Sequence, residues 1–257
     1  MPEPYFQNDL VTLYCGDCLE VVPRLGVEFD ACVTDPPFGT TSCSWDTVIP
    51  FDQMWSMLEC VRKGRAIVLF GMEPFSSHLR LSNLHRFKYD WVWQKSKSGS
   101  AFSAKYRPVC KHEMISVFGD GVILYNPQMT KGKPYQRVHN GQRGDKNNHK
   151  IGLGSGYVSV NDGFRYPISV QFFQQKWRRQ DQCHPTQKPV ELMEYLIRTY
   201  TNEGELVLDF SAGSGTTGVG AILAGRRCVM VEKEEKYCEV AARRIELAVA
   251  EGEERLF

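Results

Sequence analysis

No stretch of this 257-residue sequence approaches the roughly 18 consecutive apolar residues that a membrane-spanning helix needs. The opening residues, Met-Pro-Glu-Pro-Tyr, also lack the charged and apolar regions of a signal peptide. The nine cysteines show no framework spacing, which argues against a disulfide scaffold and favours a reducing, cytoplasmic compartment. Cys15 and Cys18 form a CxxC without a second ligand pair at zinc spacing, so we expect no metal site and no membrane partner.

Acidic residues are scarce in one third of the chain. Residues 95–180 contain 15 Lys and Arg but only 4 Asp and Glu, a balance of +11. The remainder contains 16 basic and 26 acidic residues, a balance of −10, so the net charge of +1 conceals a strong asymmetry. A basic segment in an acidic protein predicts a polyanionic partner for that segment. The alternative is an insertion that is merely solvated.

Short apolar strands alternate with amphipathic helices in the first and last parts of the chain. The hydrophobic pattern predicts strands at 11–15, 30–34, 65–70, 89–93, 113–118, 205–210 and 227–231. It predicts helices at 18–25, 51–63, 73–84, 190–200, 215–224 and 234–250. Such alternation is typical of an α/β fold built on a doubly wound, mostly parallel sheet.

This pattern breaks between residues 119 and 182, which are rich in Gly, Asn, Gln, Lys and Arg with interleaved aromatic residues. A loop of that length without structure is implausible in a compact domain. We therefore expect an insertion with its own irregular fold at 119–182. Residues 1–118 and 183–257 would then be the two halves of one interrupted domain.

An acid, two prolines and an aromatic ring follow the second predicted strand, as Asp35, Pro36, Pro37 and Phe38. The prolines donate no backbone hydrogen bond and fix their own φ, so they end the strand in a rigid turn. A carboxylate and a ring held in a fixed relation suit a planar polar group that is bound at its edge and stacked on its face. The alternative is a loop with a solvated Asp and a core Phe.

A glycine-containing turn follows the strand that ends at Asp209. Gly213 and Gly215 allow the backbone to approach a ligand closely, although their spacing differs from the dinucleotide pattern GxGxxG. The next strand ends at Glu232, where a carboxylate can accept hydrogen bonds from both hydroxyls of a ribose. A glycine turn followed by an acid at a strand end indicates a nucleoside ligand.

Three segments together resemble the DNA amino-methyltransferases. The stretch from Asp209 to Gly215 resembles their FxGxG motif for S-adenosylmethionine, and Asp35-Pro-Pro-Phe38 resembles their (D/N/S)PP(Y/F/W) catalytic motif. The segment from His184 to Pro189 is similar to the one that precedes the cofactor strand in these enzymes. The catalytic motif comes before the cofactor motif, as in the circularly permuted β group, which contains N6-adenine and N4-cytosine enzymes. The similarity extends from about Tyr14 to Ile245, with the insertion unmatched.

This resemblance implies a Rossmann-like methyltransferase sheet, S-adenosylmethionine as cofactor and double-stranded DNA as partner. It makes 1–118 the catalytic half, 119–182 the target-recognition region and 183–257 the cofactor-binding half. It implies a catalytic role for Asp35, Pro36, Pro37 and Phe38. It implies cofactor contacts by Asp17, Cys18, His184, Thr186, Lys188, Asp209, Phe210, Ser211, Ala212, Gly213, Ser214, Gly215, Thr216, Thr217 and Glu232, with the segment 184–188 by the methionine end.

The basic insertion would contact DNA phosphates and base edges. Candidate DNA-binding residues are Lys95, Arg137, Arg143, Lys146, Lys150, Arg178 and Arg179. An Asp at the first motif position favours the N6 of adenine, because N4-cytosine enzymes more often have Ser there. The alternatives are an N4-cytosine enzyme, a protein-glutamine or RNA methyltransferase, and an inactive DNA-binding subunit. The resemblance is compatible with a homodimer and with a bacterial or phage restriction–modification enzyme.

Overall fold

A computed structural model describes residues 2–40, 46–98, 104–139, 157–175 and 187–254. The chain contains two compact units. The first comprises Met1–Asn126 and Ser169–Phe257, and the second comprises Pro127–Ile168. Within the described ranges, no helix combines the length and the apolar character needed to cross a membrane.

The described residues of the first unit form a nine-stranded sheet. Numbered along the whole chain, its strands are β1 (Phe6–Gln7), β2 (Val11–Cys15), β3 (Phe29–Thr34), β4 (Val61–Gly71), β5 (Phe87–Lys95), β6 (His112–Phe118), β11 (Val170–Phe173), β12 (Leu206–Asp209) and β13 (Arg227–Glu232). Their order in the sheet is β1-β2-β13-β12-β3-β4-β6-β5-β11. The strands are parallel except for β1 and β6, which run against their neighbours. Strands from the last third of the chain therefore lie between strands from its first part.

Helices cover both faces of this sheet. They are α1 (Cys18–Leu25), α2 (Phe51–Met57), α3 (Phe75–Ser82), α4 (Val190–Tyr200), α5 (Thr216–Ala224) and α6 (Glu235–Glu254), with a 3₁₀ turn at Leu58–Cys60. One core cluster contains the buried side chains of α1, α2 and α3, and the other contains those of α4, α5 and α6. The expected α/β fold with a doubly wound, mostly parallel sheet is confirmed.

Residues 66–70 of β4 form a continuous apolar run because both faces of this strand are buried. Ala66, Val68 and Phe70 belong to one core cluster, whereas Ile67 and Leu69 belong to the other. All five side chains are fully buried, because successive residues of a strand point to opposite faces and both faces carry helices.

The helix expected at 51–63 is shorter than the pattern indicated. It ends at Met57, and a 3₁₀ turn leads into β4, which begins at Val61. Val61 pairs with Phe29 of β3, and Arg62 Nη1 donates a hydrogen bond to Asp30 Oδ1 at 2.8 Å. Pairing with β3 thus overrides the helical spacing of the local sequence. The strand expected at 113–118 forms, but it is antiparallel.

In its described residues, 127–139 and 157–168, the second unit contains two small antiparallel sheets. One pairs β7 (Thr130–Lys131) with β10 (Phe164–Arg165), and the other pairs β8 (Tyr135–His139) with β9 (Tyr157–Asn161). The guanidinium of Arg165 lies 4.8 Å from the ring centroid of Tyr135 and donates a hydrogen bond to the carbonyl of Lys133 at 2.6 Å.

This unit is narrower than the insertion expected at 119–182. The segment before Pro127 belongs to the first unit, because the Asn126 amide donates a hydrogen bond to the carbonyl of Thr199 at 2.7 Å. After Ile168 the chain returns to the first unit, where β11 extends the sheet by parallel pairing with β5. A four-residue strand with an exposed Phe172 and only Phe173 packed against the core was not recognisable from its sequence as part of the main sheet.

Candidate active site

The carboxyl ends of four neighbouring parallel strands, β2, β13, β12 and β3, border a cavity of about 520 Å³. The chain that leaves each strand forms part of the wall, with residues 16–19 after β2, 35–38 after β3, 209–214 at the end of β12 and 231–234 at the end of β13. This edge is the usual ligand site of open α/β sheets. The two motifs singled out in the sequence are therefore adjacent in space.

Asp35 directly follows β3 on the cavity wall. Its Oδ2 is paired with Nζ of Lys188, whereas its Oδ1 is buried and has no hydrogen-bond partner among the described residues. Burial raises the pKa of Asp35 to about 6, although the charge of Lys188 opposes this effect. The side chain is therefore mostly ionised above pH 7, with acceptor capacity that the described protein groups leave unused.

Lys188 links Asp35 to a second buried carboxylate, Glu113 on β6. Its Nζ lies 3.3 Å from Glu113 Oε2, and the other oxygen of Glu113 pairs with Lys95 on β5. Burial opposes the charge on both central groups, but their partners outweigh it, so the pKa of Glu113 is lowered and the pKa of Lys188 is raised. Two carboxylates and two ammonium groups form a continuous ion-pair network along the cavity wall. These ion pairs were not part of the expectations for Lys95 or Lys188.

The ring of Phe38 is half-buried at the cavity wall. It packs against Phe75 of α3, with ring centroids 5.1 Å apart. Pro36 is buried, and neither Pro36 nor Pro37 can donate a hydrogen bond, so β3 ends before them. The ring thus occupies a defined position three residues after the Asp35 carboxylate.

Asp46 fixes the chain after this ring. Its two carboxylate oxygens accept hydrogen bonds from the backbone N–H groups of Gly39 at 2.8 Å and Thr40 at 2.9 Å. Its side chain is buried and lines the cavity. Residues 35–38, which we call the catalytic-motif segment after the family motif that they resemble, are therefore held at both ends, by β3 and by Asp46.

Asp209 connects the two motif segments. Its Oδ1 accepts hydrogen bonds from Thr34 Oγ1 at 2.6 Å and from the Ser211 amide at 3.1 Å, and Thr217 bonds to the same carboxylate. Burial raises the pKa of Asp209, although these hydrogen bonds oppose the increase. The end of β3 is thereby tied to the turn after β12.

Residues 211–215, which we call the glycine turn, depend on two left-handed glycines. Gly213 has φ 52° and Gly215 has φ 74°, a region that favours glycine. The Gly213 amide donates a hydrogen bond to Glu232 Oε2 at 2.7 Å, and the Glu234 amide donates to Oε1 at 2.8 Å. Burial raises the pKa of Glu232. Its carboxylate both supports the turn and lines the cavity, with lone pairs left for a ligand.

The glycine turn is also held from behind by α6. Arg244 Nη1 donates hydrogen bonds to the Ser214 carbonyl at 2.6 Å, to Ser214 Oγ at 2.9 Å and to Thr216 Oγ1 at 3.0 Å. A Cβ on Gly215 would lie 2.8 Å from Cβ of Ala241 on the same helix. The turn therefore has room for glycine alone at that position.

Asp17 and Cys18 form the wall after β2. Asp17 Oδ1 caps α1 by accepting a hydrogen bond from the Leu19 amide at 3.0 Å, and Oδ2 pairs with Lys233 Nζ at 3.0 Å. Burial opposes ionisation of Asp17, but these bonds outweigh it and lower its pKa. Burial raises the pKa of the Cys18 thiol to about 11, so the thiol is neutral.

Most of the residues expected at the site line this cavity. They are Asp17, Cys18, Asp35, Pro36, Pro37, Phe38, Lys95, Lys188, Asp209, Phe210, Ser211, Ala212, Gly213, Ser214, Thr216, Thr217 and Glu232. Gly215 precedes α5 without lining the cavity, and Arg137 lies on β8 in the second unit. Outside the described residues lie His184, Thr186, Arg143, Lys146, Lys150, Arg178 and Arg179.

Sequence reasoning missed three side chains that organise the site, which are Glu113, Asp46 and Arg244. Glu113 had a weak signal, since it is an isolated acid near the start of an otherwise apolar strand. Asp46 and Arg244 had none, because an acid in a polar loop and a basic residue on a charged helix are ordinary. In the part of the chain that the structure describes, no three His, Cys, Asp or Glu side chains are grouped to hold a metal ion.

Comparisons with known proteins agree with this geometry. The chain is 26% identical to the type II methyltransferase M.BamHI of Bacillus amyloliquefaciens over 260 residues, which cover 95% of this chain and 59% of that protein. It is 25% identical to the DNA adenine methyltransferase YhdJ of Escherichia coli (strain K12) over 264 residues, which cover 95% of this chain and 85% of that protein. The fold is similar to that of the M1.HpyAVI–SAM complex, with a TM-score of 0.61, 22% identity, and coverage of 92% of this chain and 99% of that chain.

The family model for N6/N4 DNA methylases matches residues 29–243. That range contains the catalytic-motif segment, the buried ion-pair network and the glycine turn. The protein therefore belongs to the DNA methylase family, the amino-methyltransferases of the N6-adenine and N4-cytosine type.

Proposed function

We propose that this protein is a site-specific DNA methyltransferase that transfers a methyl group from S-adenosylmethionine to the exocyclic N6 of an adenine flipped out of the double helix. The observation that carries the proposal is the half-satisfied carboxylate of Asp35 on the cavity wall. A buried acceptor without a partner costs free energy unless a ligand supplies the hydrogen bond. In a DNA methylase, the exocyclic amino group of a base is a donor that fits this acceptor.

The cavity is suited to the cofactor. Its volume of about 520 Å³ lies within the range of small-molecule sites, roughly 300–1,000 Å³. Glu232 has lone pairs available for ribose hydroxyls, and the glycine turn lets backbone approach the ligand closely. Asp17 and Cys18 would contact the adenine end, and Asp209 to Thr217 would surround the ribose and methionine portions. When bound, S-adenosylmethionine supplies a methyl group on a sulfonium, which is already activated for transfer.

Asp35 would act on the electron distribution of the target nitrogen. The lone pair of an exocyclic amino group is delocalised into the ring, so the group is a poor nucleophile. A carboxylate and a backbone carbonyl near Pro36 can accept its two hydrogens, which draws the lone pair out of conjugation. Asp35 need not remove a proton before transfer, because the methylated nitrogen loses one afterwards. Alignment of the reacting atoms then supplies much of the rate enhancement.

Phe38 would stack on the flipped base. Its ring is fixed by Phe75 and by the segment that Asp46 holds, so little conformational freedom is lost on binding. An amino group inside a duplex is out of reach of a cavity at a sheet edge, so the base must leave the stack.

Two observations support adenine as the base. The first motif residue is Asp rather than Ser, and the similarity to YhdJ, named as a DNA adenine methyltransferase, extends over 95% of this chain. Asp35, Phe38, Gly213 and Glu232 all line the cavity, which argues against an inactive DNA-binding subunit. Cytosine N4 is the alternative that the family admits.

We further propose that the insertion at 119–182 contains the target-recognition region, centred on the separate unit 127–168. The halves 1–118 and 183–257 would belong to one circularly permuted methyltransferase domain, whose sheet also includes β11. Residues 127–168 contain seven Lys and Arg but two Asp, a charge that suits DNA phosphates. Arg137 is one candidate contact there, together with the basic residues named from sequence. A homodimer and a cytoplasmic place of action, where bacterial DNA is found, are parts of the same proposal.

The test is incubation with methyl-labelled S-adenosylmethionine and equal amounts of DNA, RNA and protein. The label should appear in DNA, and digestion of this DNA to nucleosides should yield labelled N6-methyldeoxyadenosine. N4-methyldeoxycytidine would correct the base, and label confined to RNA or protein would refute the proposal. Sequencing the methylated DNA then gives the recognition site.

A further inference from the structure

The network of Asp35, Lys188, Glu113 and Lys95 has a role that the family resemblance did not suggest. We propose that Lys188, anchored by Glu113, is a positioning residue for methyl transfer, which keeps the Asp35 carboxylate ionised and holds it in one orientation towards the target amino group. This inference rests on the proposed function, because it concerns the group that would accept the amino hydrogens.

The first argument is the fixed position of the Lys188 ammonium. The side chain of Lys188 is 6% exposed, and that of Glu113 is 8% exposed. A buried charge is tolerated only when it is paired, and Lys188 meets this condition by contacting both carboxylates. Lys95 supplies the second positive charge, so the four groups together are neutral.

The second argument is the backbone that carries Lys188. Lys188 directly precedes Pro189, which lies just before the first turn of α4. The carbonyl of Pro189 accepts hydrogen bonds from the amides of Leu192 and Met193, at 3.2 Å each. Leu192 and Met193 are buried in the core between α4 and the sheet. Lys188 thus extends from a rigid element rather than from a free loop, as a positioning residue requires.

The third argument is that Lys188 connects the two parts of the catalytic motif. Its Nζ contacts the carboxylate of Asp35 and lies 5.8 Å from the ring centroid of Phe38. One oxygen of Asp35 is therefore engaged by a fixed charge, which limits rotation of the carboxylate next to the stacking ring. A carboxylate has about four acceptor positions, so hydrogen-bonding capacity remains for the amino group.

The charges around Asp35 predict the direction in which its pKa changes when a neighbouring charge is removed. Lys188 lowers the pKa of Asp35, whereas Glu113 on β6 and Asp209 on β12 raise it, in addition to burial. Lys95 on β5 acts on this balance through Glu113. Removing the charge of Lys188 should therefore raise the pKa of Asp35, and removing the charge of Glu113 should lower it.

The experiment compares the pH dependence of single-turnover methylation of DNA by wild-type protein, Lys188→Met and Glu113→Gln. Activity requires ionised Asp35, so it falls as the pH drops through the pKa of that group. The acidic limb of Lys188→Met should move to higher pH by about one unit or more, the usual effect of one close charge. The limb of Glu113→Gln should move to lower pH. Cofactor affinity is measured by calorimetry in parallel, so that the single-turnover rates of all variants are compared at saturating cofactor.

A third variant protects the test against misfolding. Lys188→Met leaves an unbalanced buried carboxylate, whereas Lys188→Met combined with Glu113→Gln removes one charge of each sign. The acidic limb of this double variant should lie between those of the single variants.

Opposite shifts support the role of Lys188, because a loss of structure alone would not move the two limbs in opposite directions. If the wild-type protein methylates DNA, acidic limbs at the same pH in all proteins, or shifts of the same sign in both single variants, would overturn the proposed role of Lys188. Absence of methylation by the wild-type protein would instead refute the proposed function.

Discussion

Asp35→Asn should stabilise the protein while nearly abolishing its activity. The change keeps the shape of the side chain and removes a charge that burial disfavours. Asp35 is an unusual carboxylate because its pKa is higher in the folded protein, about 6, than its ordinary value of 3.8. The folded state therefore binds the proton more tightly than the unfolded state, and ionised Asp35 destabilises the fold above pH 6.

The size of this effect follows from the shift. Two pKa units at about 1.4 kcal/mol each correspond to roughly 3 kcal/mol. Asparagine should raise the free energy of unfolding at pH 8 by less than this amount, because it leaves Glu113 as the remaining buried partner of Lys188. The gain should shrink as the pH falls from 6 to 4, because the wild-type carboxylate then becomes protonated and neutral as well. Single-turnover methylation should fall by about 10²-fold or more, the usual cost of removing one preorganised electrostatic interaction.

Urea denaturation at pH 8 and pH 4.5 measures the first effect, and calorimetry checks that cofactor binding persists. Asp17→Asn is the matched control, because the pKa of Asp17 is lowered rather than raised. Asparagine still caps α1 there, and the missing ion pair with exposed Lys233 should cost less than about 1 kcal/mol. A less stable Asp35→Asn protein at pH 8 would refute the assigned electrostatics, and full activity would refute the catalytic role.

Three further predictions concern the glycine turn and the basic segment. Gly215→Ala should lower the free energy of unfolding by at least about 1 kcal/mol, because φ is 74° and the added Cβ would contact α6. Thermal melting of the variant and the wild type tests this, and an unchanged melting temperature would contradict it. Arg244→Met should weaken cofactor binding in calorimetry through loss of its bonds to the turn, whereas Arg243→Met, which removes an exposed ion pair with Glu239, should leave it unchanged; equal affinities would argue against a supporting role. Neutralising Arg178 and Arg179 should weaken DNA binding and flatten its salt dependence by about 0.9 in slope for each phosphate that is no longer neutralised, and an unaltered slope would remove both from the interface.

Local chemistry made much of the site predictable. The carboxylate at the end of β3 and the acid at the end of β13 were recognisable, because parallel strands bring their carboxyl ends to one edge. The apolar run in β4 likewise indicated a strand covered on both faces. These features depend on neighbours in sequence or on the rule that orders parallel strands.

The sequence did not predict which buried charged residues pair with each other, because such pairs join distant parts of the chain. Glu113 and Lys188 are 75 positions apart in sequence, and no periodic pattern encodes which buried acid meets which buried base. The direction of β6 was missed because an apolar strand has the same hydrophobic pattern whether it runs parallel or antiparallel. The helix ending at Met57 was extended too far because Val61 continues a helical spacing that pairing with β3 overrides.

The interleaved strand order has a consequence for synthesis of the chain. β12 and β13 lie between β2 and β3, so the sheet stays open until residues 206–232 have left the ribosome. Contacts between such distant segments form slowly, because the chain loses the conformational entropy of a long loop before these contacts stabilise the fold. Asp35 is made well before Asp209, so the hydrogen bond between Thr34 and Asp209 forms only after β12 has been synthesised. A polypeptide released early therefore lacks half of the cavity, and it exposes a strand edge that favours aggregation or proteolysis over partial activity.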